Sequence, residues 1–262
     1  MHSLSGNSLG AEGAAALAPA LAANGALTSI NLSGNNLTNY GRDMTGITEL
    51  AAALVVNGAL TSLDVRRNNI VGDGAVQLSA AVLGNFKIEM FNEIPIKEMR
   101  ADSFTELDMN GKGIGVEGGM VVAELIPVMG ALTECNVRGN NLDSESAKKL
   151  AMIGTEKGIM LFGIKRDQKE ANFAGQHLGP ADAILISSDL VIGSVTQISL
   201  AANQLEEEGT KVICGALEQN KTLKELDFSG DDYRSSIGGS SGAKHVAKML
   251  SVTESLTQVL AF

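Results

Sequence analysis

The amino-acid sequence predicts an α/β solenoid in which short parallel strands alternate with helices along a repeating chain. The first observation is a line that returns with the spacing L-x-x-L-x-L-x-x-N-x-L. Clear copies occupy residues 27–37 (LTSINLSGNNL), 60–70 (LTSLDVRRNNI), 132–142 (LTECNVRGNNL) and 195–205 (VTQISLAANQL), and weaker ones occupy 104–114 and 223–233. Self-similarity at a fixed period indicates a repeat architecture and outweighs local secondary-structure signals.

The second observation concerns the segment that follows each copy of the repeated line. A turn containing glycine is followed by an amphipathic segment of about three helical turns, the usual helix length, as in residues 75–83, 120–129 and 210–217. Within the copy at 60–70, Leu60, Leu63 and Val65 alternate with polar residues, which is typical of a short strand with one buried side. Each repeat is therefore predicted to be one strand followed by one helix, and such units stack into a curved array.

The spacing between successive copies identifies the repeat type. Equivalent apolar positions recur about every 28 residues, which leaves room for a full helix in each repeat. This pattern resembles the leucine-rich repeats of the ribonuclease-inhibitor-like type and covers nearly the whole chain. The resemblance implies a horseshoe-shaped solenoid with a concave parallel β-sheet and convex α-helices. We expect a single domain over residues 1–262, with about eight helix-bearing repeats and an incomplete repeat at the N-terminus.

Two stretches, residues 88–103 and 159–169, interrupt this rhythm. Each contains an additional apolar run, IEMF at 88–91 and IMLFGI at 159–164, without a following helical pattern. We expect an extra strand without a helix at each place, and a loop formed by Pro95 and the charged run 97–102. The insertions at 38–46 and 231–242 are also predicted to be loops.

The asparagine of the repeated line has a physical reason. A strand that turns sharply leaves backbone groups unpaired inside the solenoid, and an Asn amide supplies both a donor and an acceptor. We therefore expect a structural ladder of stacked asparagines: Asn35, Asn68, Asn140 and Asn203. Lys112, Gln176 and Asp231 occupy this position in the weaker copies, where the ladder should be interrupted or reorganised.

Composition and charge restrict the class of protein. Hydrophobic residues make up 44% and charged residues 19%, as in a folded chain rather than a disordered one. The net charge of −10 argues against nucleic acid as the main ligand, because phosphate binding requires clustered Lys and Arg. Residues 14–23 (AAALAPALAA) resemble a signal peptide but lack a basic segment before them. No apolar run is long enough to span a bilayer, so we expect a cytoplasmic protein without membrane insertion.

Candidate chemistry is explained by the repeat itself. Residues 113–118 read G-x-G-x-x-G, the pattern of a dinucleotide-binding turn, but glycines recur at the equivalent turns after residues 9 and 70. Cys135 and Cys214 fall at apolar positions, and His2, His177 and His245 lack the spacing of metal ligands. We therefore expect no enzymatic activity, no catalytic or metal site and no cofactor.

The strand face that the resemblance makes concave is the remaining candidate surface. Counting from the first leucine of each copy, positions 2, 3, 5, 7 and 8 should project there. The partner-binding residues predicted on this face are Asp64, Arg66, Arg67, Asp108, Asn136, Arg138 and Asp227. Because interface anchors are enriched in arginine, we expect Arg66, Arg67 and Arg138 to contribute most.

Three functions are consistent with the sequence. The resemblance favours a non-enzymatic module or scaffold that binds a protein partner of unknown identity through the concave strand face. A structural subunit that packs, or self-associates, through its solenoid ends is the second hypothesis, because neither end shows an evident polar cap. A regulator of a small GTPase is the third, and only analogy to other members of the fold supports it.

Overall fold

The computed structural model describes residues 2–230 and 236–260, in which parallel strands alternate with helices. The chain forms two compact units. The first comprises Met1–Thr105, Met109–Leu132 and Gly139–Asn141, and the second comprises Glu106–Asp108, Thr133–Arg138 and Leu142–Phe262. The single domain expected from the sequence stays a prediction.

The first unit contains a four-stranded parallel sheet whose strands follow chain order. The strands are β1 (His2–Ser3), β2 (Ser29–Asn31), β3 (Ser62–Asp64) and β4 (Met90–Phe91). The helices are α1 (Gly10–Ala23), α2 (Thr45–Val56), α3 (Gly72–Gly84), α4 (Ile96–Arg100) and α5 (Gly115–Leu125), and a 3-10 turn (Ile126–Val128) follows α5. Helix α2 packs between α1 and α3, and α3 packs on α5.

The second unit contains two parallel sheets. One pairs β5 (Glu106–Asp108) with β6 (Glu134–Asn136), and the other orders β7 (Glu170–Asn172), β8 (Gln197–Ser199), β9 (Glu225–Asp227) and β10 (Gln258–Leu260). Its helices pack in sequence: α6 (Ser144–Lys157), α7 (Pro180–Ile192), α8 (Glu206–Leu217) and α9 (Gly239–Val252). The α/β solenoid of strand–turn–helix repeats predicted from the sequence is confirmed.

The core of each repeat follows the predicted alternation. Leu60, Leu63 and Val65 are at most 2% exposed. The alanine-rich stretch 14–23 lies within α1 and buries Ala14 and Ala18, so it forms part of a core helix. Burial of such aliphatic side chains supplies the main favourable free energy of folding.

Small residues set the distance between neighbouring helices. A Cβ added to Gly46 of α2 would lie 2.5 Å from the Ala11 carbonyl oxygen and 2.6 Å from the Ala14 Cβ in α1. Gly209 of α8 meets Ala183 of α7 in the same way, at 2.9 Å. Close helix contact explains part of the high glycine content, because a larger side chain at these positions would separate the repeats.

The first irregular stretch contains the predicted extra strand, but the predicted loop is wrong. Strand β4 pairs with β3, and α4 then occupies Ile96–Arg100 where a loop was expected over 97–102. Ile96 and Met99 of α4 are fully buried, one helical turn apart. Their burial makes a single helical turn favourable in a segment that is otherwise charged.

The second irregular stretch lacks the predicted strand. Met160 forms only an isolated bridge with Glu134. Beyond it, the backbone N–H groups of Leu161 and Phe162 donate to the carboxylate of Asp189 (2.7 and 2.8 Å). Because a side chain satisfies these donors, the segment needs no further strand on that side.

The two insertions differ in how far the structure describes them. Residues 38–42 form turns, and α2 begins at Thr45, inside the predicted loop 38–46. In the second insertion, residues 231–235 lie outside the described residues, and α9 begins at Gly239, inside the predicted loop 231–242.

Candidate interaction surface

The asparagine positions tie successive turns together through hydrogen bonds. Oδ1 of Asn68 accepts from the backbone N–H groups of Asn35 and Leu37 (2.9 and 3.1 Å). Its Nδ2 donates to the carbonyls of Leu32 and Val65 (3.0 and 2.8 Å). One buried amide thus satisfies four backbone groups in two repeats, and it holds the ends of β2 and β3 in register.

The ladder is reorganised in the weaker repeats. Asn203 accepts from the N–H groups of Gln176 and Leu178 (3.0 and 3.1 Å). The Asn203 N–H itself donates to the hydroxyl of Ser236 (3.1 Å), which acts where an asparagine would act in a regular copy. Asp231, at that position in the sequence, lies outside the described residues.

The repeat containing Lys112 keeps two of the hydrogen bonds of the regular copies. Asn140 accepts from the Ile114 N–H (3.3 Å) and donates to the Met109 carbonyl (2.8 Å). Asn92, which follows β4, is fully buried and accepts from the Val65 N–H (2.8 Å). Asn92 therefore joins the ladder, although it lies outside the repeated line that identified the other members.

A second set of asparagines, not anticipated from the sequence, follows the helices. Nδ2 of Asn57 donates to the Leu21 carbonyl (2.7 Å), and its Oδ1 accepts from the Leu60 N–H (2.7 Å). Asn85 and Asn220 donate in the same way to Leu54 and Leu190 (2.7 Å each). The recurrence of N-G-A-L at 24–27 and 57–60 was the available signal.

The structure places the predicted residues of the first unit beside β3. Here the first strand face denotes Ser29, Asn31, Ser62 and Asp64, the outward side chains of β2 and β3. Arg66 donates from Nε and NH2 to the Asp64 carboxylate (2.9 and 2.8 Å). Its NH1 pairs with Glu93 (2.6 Å) and donates to the Lys112 carbonyl (3.0 Å).

These contacts distinguish Arg66 from Arg67, both of which the sequence predicts as partner-binding residues. The hydrogen bond to Asp64 raises the pKa of Arg66, and the side chains of the pair are only 20% and 12% exposed. Arg66 thus neutralises two neighbouring carboxylates. Arg67 is exposed and has a left-handed backbone (φ +59°). Arg67 is consequently the more accessible of the two cations.

In the second unit, Arg138 is also engaged within the protein. Its guanidinium lies 5.7 Å from the ring centre of Phe162 and 5.1 Å from that of Phe173. The two rings are in edge contact at 5.2 Å, and Arg138 also donates to Gln176. Cation–π contacts of this kind orient the guanidinium over the start of the irregular segment. Asn136 accepts from the Arg138 N–H (3.2 Å).

The outward side chains of the second unit are strongly acidic. The second strand face denotes the first and third residues of β5 to β9: Glu106, Asp108, Glu134, Asn136, Glu170, Asn172, Gln197, Ser199, Glu225 and Asp227. Lys165 donates to Glu106 (3.1 Å) and to Glu134, which compensates part of the charge at β5 and β6. The carboxylates at β7 and β9, those of Glu170, Glu225 and Asp227, instead line a groove.

Strands β7 to β10 form a groove of about 480 Å³ on this face. It is lined by Glu170, Ala171, Asn172, Gln197, Ile198, Ser199, Glu225, Leu226, Asp227, Gln258 and Leu260. Asp227 accepts from the Ser199 hydroxyl (2.9 Å) and from the hydroxyl and N–H of Ser229 (2.6 and 2.9 Å). Burial acts to raise the pKa of Asp227, but these hydrogen bonds outweigh it and lower the pKa, so the carboxylate stays charged.

Two buried carboxyl groups, not anticipated from the sequence, support the irregular stretches. Glu117 is 3% exposed and accepts from Asn92 (2.9 Å), and burial raises its pKa to about 8. Asp189, which binds the Leu161 and Phe162 N–H groups, is fully buried, and burial raises its pKa to about 7. Both groups lie inside helices, and the sequence analysis singled out neither.

The glycine-rich turn at 113–118 serves the repeat. Gly113 and Gly115 have left-handed backbones (φ +66° and +73°), as do Gly10 and Gly72 at equivalent strand-to-helix turns. A Cβ on Gly115 would lie 2.5 Å from Glu117 Oε2, so the space over the turn is occupied by a side chain of the same helix. The turn therefore has a structural explanation.

The cysteine thiols and the possible metal ligands are poorly placed for nucleophilic or metal chemistry. Cys135 and Cys214 are buried, and burial raises the pKa of each thiol to about 12, which keeps both protonated near neutral pH. Within residues 2–230 and 236–260, no group of three or more His, Cys, Asp or Glu side chains could hold a metal ion. In the same ranges, no helix combines the length and apolar character that a bilayer crossing requires.

Known proteins resemble parts of this chain. A family model described as Leucine Rich repeat matches residues 3–18 and 59–79. Similar solved structures include leiomodin-1 actin-binding site 2, at 17% identity over 64% of this chain and 77% of the other (TM-score 0.31). Another is the tropomodulin C-terminal domain from Caenorhabditis elegans, at 12% identity over 64% and 80% (TM-score 0.34). No curated protein matches the chain significantly.

The repeated strand–turn–helix units define a solenoid of the α/β class. The chain contains leucine-rich repeats, which the matched family model covers at residues 3–18 and 59–79. Helices of 11 to 14 residues in its regular repeats are compatible with the ribonuclease-inhibitor-like type.

Proposed function

We propose that the chain is a non-enzymatic protein-interaction module that binds a protein partner through its strand faces. The observation that carries the proposal is the groove over β7 to β10, which polar side chains of four consecutive strands line. A stack of parallel strands presents side chains at a regular spacing, and solenoids use such extended faces for binding. We further propose that the module acts as a scaffold in the cytoplasm.

The residues proposed to contact the partner follow from the geometry. Arg67 and Asp108 are exposed, and Asn136 and Asp227 are half-buried on the strand faces. Arg66 and Arg138, which the sequence favours as anchors, hold internal contacts with Asp64 and with the two phenylalanine rings. We assign these two arginines the role of orienting the surface rather than that of primary anchors.

Site-specific photo-crosslinking tests the proposal. A photoreactive phenylalanine analogue replaces Ser62 in β3 or Gln197 in β8, and matched controls carry it at the exposed helix positions Gln77 and Lys211. In extract of the source cells, the strand-face variants should each form a discrete protein adduct that an excess of unlabelled chain competes away. Competed adducts formed only from Gln77 and Lys211 would assign binding to the helices and overturn the proposal.

A further inference from the structure

We propose that the groove over β7 to β10 binds an extended, arginine- or lysine-rich segment of the partner protein. This inference rests on the proposed interaction function and specifies the chemistry of the partner. It starts from a difference between the two units, because their strand faces carry unlike charge although the repeats that build them are alike.

The first strand face contains short polar side chains and a neutralised carboxylate. Ser29, Asn31 and Ser62 are uncharged, and Asp64 is paired with Arg66. In the second unit, the groove is lined by the carboxylates of Glu170, Glu225 and Asp227, and no cation is among the residues that line it. A partner that recognises this groove must therefore supply positive charge.

The lysines next in sequence do not neutralise the groove. Lys169 and Lys224 precede Glu170 and Glu225, but successive side chains of a strand leave on opposite sides. Lys169 donates to the Ser194 carbonyl (3.4 Å).

The protein itself shows how a cation sits on such a face. Lys165 reaches across β5 and β6 and donates to Glu106 and Glu134, which occupy the first strand position. Glu170 and Glu225 occupy the same position in β7 and β9. An ammonium or guanidinium group from a partner would meet equivalent carboxylates there.

The dimensions of the groove indicate an extended segment. Glu225 and Asp227 lie two residues apart on one strand, about 7 Å at the Cα atoms, and Glu170 is two strands away, about 10 Å. Basic side chains two or three residues apart on an extended chain span these separations. Leu260 is 36% exposed on the wall of the groove and provides an apolar surface for the aliphatic stem of Lys or Arg.

Fluorescence anisotropy of the full chain with a labelled peptide of alternating arginine and serine tests the inference. The same peptide with glutamate in place of arginine is the charge control. The arginine peptide should bind at low salt and weaken as salt rises, because exposed charge pairs are screened. Equal binding of the glutamate peptide, or no binding of the arginine peptide, would overturn the inference.

Two double variants separate the groove from the overall negative charge. Glu170→Gln with Glu225→Gln should weaken binding of the arginine peptide by about tenfold, the effect expected from losing two exposed charge pairs. Glu156→Gln with Glu254→Gln removes the same charge from exposed positions outside the groove and should change binding less than about twofold. Equal weakening by both would assign the attraction to net charge and reject the groove.

The two proposals fail in different ways. If photo-crosslinks form from Gln197 but neither double variant changes arginine-peptide binding, the interaction function stands and the basic partner is wrong. If crosslinks form only from helix positions, the interaction surface itself is wrong, whatever the peptide does.

Discussion

The guanidinium of Arg66 and the carboxylate of Asp64 form a two-point contact, with Nε–Oδ1 at 2.9 Å and NH2–Oδ2 at 2.8 Å. Both side chains are mostly buried at the end of β3, and Glu93 pairs with the same guanidinium. The most prominent cation of the first strand face is therefore part of the structure that holds the face together.

Replacing Arg66 with alanine should destabilise the protein. The change leaves the buried carboxylate of Asp64 without its charged donor, and loss of hydrogen bonds to a charged group costs about 1.5–3 kcal/mol. Chemical denaturation monitored by circular dichroism measures the change in the free energy of unfolding. Arg67→Ala, at the exposed neighbouring residue, should stay within about 0.5 kcal/mol of the parent protein. Equal effects of the two substitutions would contradict a structural role for Arg66.

Replacing Asn68 with alanine should cost more than an ordinary polar substitution. Four backbone groups lose their partner together, and each unsatisfied buried group costs about 1–3 kcal/mol. Thermal and urea unfolding should show a large loss of stability. The exposed Gln77→Ala in α3 is the control. If Asn68→Ala is as stable as Gln77→Ala, water replaces the amide, and the ladder contributes little.

Glu117 should make stability depend on pH. Its pKa is about 8 in the folded protein against 4.5 for the free side chain, so the folded state binds the proton more tightly than the unfolded chain does. The contribution of this group is then fully present below about pH 4.5 and is lost as pH rises towards 8.

Urea titrations between pH 5 and pH 8.5 measure this dependence. Glu117→Gln keeps an oxygen for the Asn92 amide and removes the ionisation, so the free energy of unfolding should fall less steeply with pH. A slope unchanged by Glu117→Gln would show that other groups cause the dependence.

Asp189→Asn should destabilise the second unit despite its small change in shape. Both carboxylate oxygens accept a backbone N–H, from Leu161 and Phe162. The asparagine amide has only one oxygen, so its NH2 group would face the N–H of either Leu161 or Phe162. Leaving that buried N–H without an acceptor costs about 1–3 kcal/mol. Hydrogen exchange of the Leu161 and Phe162 amides should accelerate. Unchanged protection of both would refute the role of Asp189.

Gly46→Ala should weaken the packing of α1 against α2. The added methyl group would meet the Ala11 carbonyl at 2.5 Å, and overpacking of this kind typically costs about 1–3 kcal/mol. Gly58→Ala is the matched control, because a Cβ there has nothing within 4 Å. In thermal unfolding, Gly46→Ala should lower the midpoint temperature, and Gly58→Ala should leave it nearly unchanged.

The sequence by itself determined the repeat, the alternation of strand and helix in its regular copies and their buried apolar positions, because periodic burial of leucine-type residues is a local property of each copy. It also predicted the ladder positions Asn35, Asn68, Asn140 and Asn203, whose amides bond to the backbone of adjacent repeats. Only the tertiary structure showed that Ile96 and Met99 form a helical turn, since burial by neighbouring elements decides a segment so short.

The candidate surface depended still more on tertiary contacts. Counting positions placed Arg66 and Arg138 on the concave strand face, but their partners Glu93 and Phe162 come from the irregular stretches that no repeat register describes. Charge compensation acts across space between segments distant in sequence. The sequence therefore listed the charges, and the fold decided which of them are neutralised and which face the groove.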